Sequence, residues 1–125
     1  IFEKLIFIEE NRTSFNYLLK NLSENKIEKR SEYYRASVDK ALKSIKISPD
    51  VVLMDPPRSG ANEMSISQIV SFNPELVIYI SCNPSTQIRD FKYFNNKGYK
   101  VVNLRPFDFF PQTKHIESVA LLQKK

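Results

Sequence analysis

Short apolar runs alternate along the chain with segments whose apolar residues recur at helical spacing. Leu5-Ile6-Phe7-Ile8 is a continuous apolar run ended by Glu9, Glu10 and Asn11. Asn11 predicts an N-cap, because its side chain can accept from the free N–H groups of a first helical turn. Behind it Phe15, Leu18, Leu19 and Leu22 fall at i, i+3, i+4 and i+7, one face of a helix. Tyr33-Tyr34 predicts a short strand and Val38 to Ile45 a helix. Pro49 and Asp50 introduce Val51-Val52-Leu53-Met54, a strand run stopped by Asp55-Pro56-Pro57. A helix with Ile66, Ile69 and Val70 on one face follows, then Leu76 to Ile80, an apolar strand ending in Ser81-Cys82-Asn83-Pro84. Asn83 as N-cap with Pro84 at the first helical position starts the next helix, and Gly98 stops it. Ile88, Phe91 and Phe94 are the apolar residues of that helix. Val101 to Leu104 and Ser118 to Leu122 predict two last strands around a loop rich in Phe and Pro.

Strands that are apolar on both faces and separated by helices predict an α/β fold, a mostly parallel sheet with helices on both faces. In such sheets the chemistry gathers at the carboxyl ends of the strands, where Asp55, Cys82 and the Glu9-Glu10 pair sit. The 125 residues suffice for one domain with a core and not for two, and no repeat or linker divides them. No apolar run approaches the roughly 20 residues needed to span a bilayer. The single Cys cannot form an internal disulfide, which suits a reducing, cytoplasmic compartment. One Cys and one His are too few ligands for a closed zinc site, so no metal is expected. The net charge of +5 favours anionic partners, but Lys and Arg are scattered rather than gathered into an arm. It permits an RNA partner without establishing one. The chain opens on Ile1 and runs almost at once into a strand, and its two glycines, Gly60 and Gly98, build no glycine-rich nucleotide loop. It is expected to be a piece of a longer protein.

Three constellations carry candidate chemistry, each with a plainer alternative. A lone cysteine is usually a small buried hydrophobe. Cys82, however, stands one residue past an apolar strand and just before a helix start, a place that favours a reactive thiolate. Asp55-Pro56-Pro57-Arg58-Ser59-Gly60 places a carboxylate at a strand end before a turn stiffened by two prolines, which presents a fixed acceptor to a polar ligand group. The alternative is an ordinary Asp-Pro turn. The stretch from Phe107 to Glu117 sets three phenylalanines beside polar groups, a composition that could stack on bases and read their edges. A hydrophobic plug over the sheet end is the alternative, slightly preferred on pattern alone. Glu117 opens the final strand as a buried base or a strand-edge charge, and a lone histidine such as His115 is more often structural than catalytic.

In order, Asp55-Pro56-Pro57-Arg58-Ser59-Gly60, Tyr79-Ile80-Ser81-Cys82-Asn83-Pro84-Ser85-Thr86 with Arg89-Asp90, and Phe110-Pro111-Gln112-Thr113-Lys114-His115-Ile116-Glu117 closely resemble the RNA uracil-5-methyltransferase family. The resemblance is loose before Asp50 and tight after it. It implies a class I methyltransferase domain using S-adenosylmethionine on transfer or ribosomal RNA, with residues 1–125 as its C-terminal portion. Residue by residue it implies Cys82 as nucleophile, Glu117 as general base and Asp55 as the pocket residue between methyl donor and uracil. Glu9, in a register blurred by Glu10, falls where the family has an acidic residue for the donor's ribose hydroxyls. Pro84 would shape the nucleophile loop. Arg58, Thr113 and His115 are expected on the substrate side, with Arg89 and Gln112 supporting. The family's first strand and its glycine loop are missing from the match; in the class I sheet that strand lies between those matching Leu5–Ile8 and Val51–Met54. Rival readings are an amino-nitrogen methyltransferase, a thiol hydrolase using Cys82 and His115, and an RNA-binding piece without catalysis. The first expects an aromatic residue where Arg58 stands, and neither of the first two accounts for both Cys82 and the Asp-Pro-Pro turn.

Overall fold

In the computed structural model, which describes residues 2–109, 111–113 and 115–125, the apolar runs become strands and the helical-period segments helices. They form two units, Ile1–Ile45 and Lys46–Lys125.

In the first unit, strand β1 (Leu5–Ile8) pairs in parallel with β2 (Ser31–Tyr34), from Leu5↔Ser31 to Ile8↔Tyr34. Helix α1 (Arg12–Glu24) connects them. It starts where it does because Asn11 Oδ1 accepts from the N–H groups of Thr13 (2.9 Å) and Ser14 (3.0 Å). Of the predicted apolar stripe, Leu22 is buried, and Phe15 meets Tyr33 edge to face at 6.0 Å. Helix α2 (Val38–Ser44) buries Ala41 and Leu42.

The second unit contains β3 (Val51–Met54), α3 (Glu63–Ser71), β4 (Leu76–Ser81), α4 (Pro84–Asn96), β5 (Tyr99–Phe107) and β6 (Glu117–Lys124). Its sheet has the order β3-β4-β6-β5, separate from the β1–β2 ladder. β3 and β4 are parallel, whereas β6 runs against both β4 and β5, so the sheet is mixed. The reason is the connection 108–116, too short for the crossover of a dozen or more residues that a parallel pair needs. β5 and β6 therefore close as a hairpin, and β6 enters the sheet antiparallel. β5 is longer at both ends than the run Val101 to Leu104, with a register irregularity between Val101 and Asn103.

Alternate residues Val77, Tyr79 and Ser81 of β4 and Ser118, Ala120 and Leu122 of β6 share the buried face of this sheet. Ile66 and Ile69 of α3 and Phe94 of α4 complete the core, with Phe94 edge-on to Tyr99 at 6.1 Å. Each such side chain contributes about 1.5–3 kcal/mol by leaving water. The predicted face of α4 is rotated in the structure. Phe94 is buried as expected, but Ile88 is 56% exposed, and the residues buried beside Phe94 are Gln87 and Asp90. Two polar side chains occupy that face because Asp90 accepts from the Ala61 N–H of the preceding loop, while Gln87 bonds the Tyr79 carbonyl of β4 and the Ser118 hydroxyl of β6.

Candidate active site at the strand ends

Cys82 leaves the sheet directly after β4, half-buried and as a free thiol. The turn that follows is closed by Ser81, whose Oγ accepts from Asn83 N–H (3.0 Å) and donates to the Asn83 carbonyl (3.1 Å). Asn83 Oδ1 then accepts from Ser85 N–H (3.2 Å) as the N-cap of α4, with Pro84 in the first turn. The cysteine is thus gripped between a strand end and a capped helix start. Glu117 comes from the opposite direction as the first residue of β6. The last β4–β6 pair is Ser81↔Ser118. Cys82 follows the β4 member of that pair and Glu117 precedes its β6 member, so both stand at the same end of the ladder. The two chemically distinct groups, a thiol and a carboxylate, leave the ladder at one end.

Asp55 follows β3 at the same carboxyl end and is exposed. The loop behind it is tied to α4 at several points. Gly60 N–H donates to the Pro57 carbonyl (2.8 Å). The Arg58 carbonyl accepts from Asn83 Nδ2 (3.1 Å) and Thr86 Oγ1 (3.2 Å), which leaves the Arg58 side chain exposed. Arg89 Nη2 donates to the carbonyls of Ser59 (3.0 Å) and Ala61 (3.1 Å). Its Nε and Nη2 also grip Asp90 Oδ1 at 2.9 and 2.7 Å. Asp90 Oδ2, fully buried, accepts from Ala61 N–H (2.7 Å) and the Tyr79 hydroxyl (2.6 Å). Burial first, and the Asp90 hydrogen bond next, push the Tyr79 phenol well above its ordinary range. The same carboxylate raises Arg89. Gly60 is required here: its φ is +80°, and a Cβ would lie 2.6 Å from both Arg89 Nη2 and Asp90 Oδ2.

A second tie joins α4 to β6. Gln87, 1% exposed, donates from Nε2 to the Tyr79 carbonyl (3.2 Å) and accepts at Oε1 from Ser118 Oγ (2.6 Å). The apolar pattern singles out neither Gln87 nor Ser118, and the family resemblance assigns the Arg89-Asp90 pair no specific task. The available signal was periodic: Gln87, Asp90 and Phe94 recur at helical spacing on one face.

Pro84 is exposed at the first position of α4, two residues after Cys82. Thr113 and His115 lie in the exposed β5–β6 connection, where His115 N–H donates to Thr113 Oγ1 (3.2 Å). Phe110 and Lys114 of the same motif lie outside the described residues. Phe107 and Phe109 stack with centroids 5.8 Å apart and planes 9° from parallel, and Phe109 is 65% exposed. These two rings therefore do not form a buried plug. Glu9 belongs to the first unit. Its N–H donates to the Tyr34 carbonyl (3.1 Å), and its Oε1 accepts from Asn11 N–H (2.7 Å). A carboxylate fixed just past a parallel strand can accept from hydroxyl groups, which is the chemistry a donor's ribose would need there.

A model of the tRNA (uracil-5-)-methyltransferase family matches residues 2–125. The tRNA (uracil(54)-C(5))-methyltransferase of Saccharomyces cerevisiae is 35% identical over 129 aligned positions, which take in 98% of this chain and 20% of that protein. An uncharacterised RNA methyltransferase of Thermotoga maritima is 37% identical over 121 residues, 97% of this chain and 27% of that protein. The chain thus spans about a fifth to a quarter of the length of the curated relatives it matches. Among solved structures, the Pyrococcus abyssi tRNA (uracil-54, C5)-methyltransferase in complex with S-adenosyl-L-homocysteine superposes with a TM-score of 0.77 at 27% identity, covering 95% of this chain and 28% of that one. A precorrin-6y C5,15-methyltransferase of Geobacter metallireducens shares the fold alone, with a TM-score of 0.79 at 13% identity over 98% of this chain and 67% of that one. A class I methyltransferase fold, a thiol and a carboxylate at one end of the β4–β6 ladder, and a family match across the described length agree: the chain belongs to the tRNA (uracil-5-)-methyltransferase family.

Proposed function

We propose that this chain is the C-terminal part of a catalytic domain that methylates carbon 5 of a uridine in RNA, and that Cys82 and Glu117 perform the covalent steps. The observation that carries the reading is the β4–β6 register, which brings Cys82 and Glu117 to one end of the ladder. A transfer RNA substrate is favoured over a ribosomal one by the activity named for the Saccharomyces cerevisiae relative. The donor is S-adenosylmethionine, in keeping with the S-adenosyl-L-homocysteine held by the Pyrococcus abyssi structure, and a cytoplasmic setting keeps the thiol reduced.

Carbon 5 of uracil is too weak a nucleophile to be alkylated unaided. The Cys82 thiolate adds to carbon 6, and the electron pair of the 5,6 double bond moves into an enolate with carbon 5 as its nucleophilic end. When bound, the donor would supply an electrophilic methyl group to that carbon, its sulfonium S–CH3 bond breaking to leave the neutral thioether. The Glu117 carboxylate then takes the proton from carbon 5. The C–H electron pair re-forms the 5,6 double bond as the C6–S bond breaks, returning the thiolate to Cys82 and leaving Glu117 protonated for release to solvent. A placed base of this kind contributes about 10²–10⁴-fold. Glu9 would hold the donor's ribose and Asp55 would line the pocket between donor and uracil. Arg58, Thr113, His115 and the exposed Phe107–Phe109 stack face the RNA, a flipped-out base being the form in which carbon 6 is reachable. The amino-nitrogen and thiol-hydrolase alternatives gain no observation of their own.

The test uses the full-length protein that carries this chain, S-adenosylmethionine and RNA containing 5-fluorouridine. Fluorine replaces the proton that Glu117 must remove, so a methylated adduct should stall on Cys82 and run as a shifted band on a denaturing gel. Cys82→Ala should abolish the band, and Glu117→Gln should accumulate an adduct even on ordinary RNA. A Cys82→Ala protein that still methylates uridine would refute the assignment.

A further inference from the structure

The Gln87–Ser118 link sits in a place where an apolar residue would suit the core better. Ser118 shares the buried face of the sheet with Val77, Tyr79, Ala120 and Leu122, and Gln87 reaches it from α4, with 5% and 1% of their surface exposed. Burying a primary amide and a hydroxyl is costly unless every polar atom is satisfied. Here the satisfaction is specific. Gln87 Nε2 donates to β4 at the Tyr79 carbonyl, and its Oε1 accepts Ser118 Oγ from β6. The same hydroxyl lies 3.4 Å from the Ser81 carbonyl. The ladder alone would pair these strands, so the side-chain link adds a fixed relation among three elements. It holds β4 just before Cys82, β6 just after Glu117, and the helix whose start follows the cysteine.

We infer that Gln87 and Ser118 are positioning residues for the proton-removal step: they set the placement of the Glu117 strand against the Cys82 turn. Neither touches substrate. The inference rests on the reading of Cys82 as nucleophile and Glu117 as base. Adduct formation needs the thiol and the bound base in place. Only the later step, in which the Glu117 carboxylate takes the carbon 5 proton and the C6–S electron pair returns to Cys82, needs the two strands in fixed alignment as well. A small misalignment should therefore slow release of the methylated RNA more than attack on the uracil.

The experiment compares the unmutated full-length protein with Ser118→Ala, Ser118→Thr and Gln87→Met. Single-turnover reactions on ordinary uridine-containing RNA are quenched at intervals, and the covalent band is followed as it forms and decays. In Ser118→Ala and Gln87→Met the band should form at close to the normal rate and decay between tenfold and roughly hundredfold more slowly, the scale of loss for a displacement of about an ångström. The KM for RNA should be unchanged, and Ser118→Thr, which keeps the hydroxyl, should restore decay. Gln87→Met keeps the volume of the side chain and so reads the same effect if Ser118→Ala fails to fold. Decay at the normal rate in both variants overturns the inference while leaving the Cys82–Glu117 chemistry intact. So does an equal fall in formation and decay that Ser118→Thr does not repair, or a failure of both variants to fold. Absence of any covalent band with 5-fluorouridine RNA in the unmutated protein removes the underlying reading, and the inference with it.

Discussion

Exchanging Asp90 for Asn keeps the shape of a fully buried side chain and replaces one of its oxygens by an amide nitrogen. The carboxylate accepts at Oδ2 from Ala61 N–H and the Tyr79 hydroxyl, and at Oδ1 from Arg89. An asparagine that keeps its oxygen toward Arg89 turns its NH₂ toward Ala61 and Tyr79. The tyrosine hydroxyl can rotate and accept, but Ala61 N–H, on a residue only 7% exposed, has no such option. A buried donor without an acceptor costs about 1–3 kcal/mol. The opposite rotamer points two amide hydrogens at a guanidinium and is worse, although solvent screening around the half-exposed Arg89 softens it. A loss of about 2 kcal/mol corresponds to roughly thirtyfold in the opening equilibrium of the Asp55 loop. Hydrogen exchange followed by mass spectrometry on the full-length protein reads this directly, since local opening need not involve global unfolding. Peptides covering 55–61 should exchange on the order of thirtyfold faster in Asp90→Asn, while those of α1 should be unchanged. Protection of Ala61 at the normal level would refute the claim that Asp90 holds this loop to α4.

Gly60→Ala should open the same loop through a different cause. A non-glycine residue at φ +80° carries about 1–2 kcal/mol of backbone strain, and its Cβ must displace Arg89 or Asp90. Exchange in 55–61 should rise at least as far as in Asp90→Asn, and normal exchange there would count against the close approach. Tyr79, with its pKa raised from an ordinary 10.0, contributes stability that is fully present below that value and lost as pH rises through its folded pKa. Burial also raises Tyr34 and Tyr99, so absorbance titration should show a late tyrosine step coupled to alkaline unfolding, smaller by one tyrosine in the Tyr79→Phe protein. Superimposable curves would contradict the assignment. Asn11→Ala should destabilise α1 by about 1 kcal/mol through loss of its cap, seen as faster exchange confined to 12–24.

Much of the fold was legible because burial writes itself into short apolar runs and caps into single residues. Leu5–Ile8, Val51–Met54 and Leu76–Ile80 became strands, and Asn11, Asn83–Pro84 and Gly98 mark helix ends as read. The antiparallel entry of β6 was not legible from apolar pattern, since a central strand reads alike in either direction. Its cause lay in the length of a loop. At the site, the family resemblance singled out Cys82, Asp55 and Glu117, but the side chains that fix them were hidden by their polarity. Gln87 and Asp90 look like solvent-facing helix positions, and Ile88 like a core residue, until hydrogen-bond demand from the Ser59–Ala61 backbone and from Ser118 is counted. Polar residues on a buried helix face can be anticipated only when the loops that need them are known.

The central position of β6 also sets an order of events during synthesis. β6 follows both β4 and β5 in the chain yet lies between them in the sheet. Cys82 and Glu117 are 35 positions apart, so at about 5–20 residues per second the thiol is translated roughly 2–7 s before the carboxylate. In that interval one edge of β4 has no neighbour, and bare edges invite pairing with foreign strands. On the proposed chemistry, a chain ending between the two residues would carry the attacking thiol and lack the base that releases the methylated product.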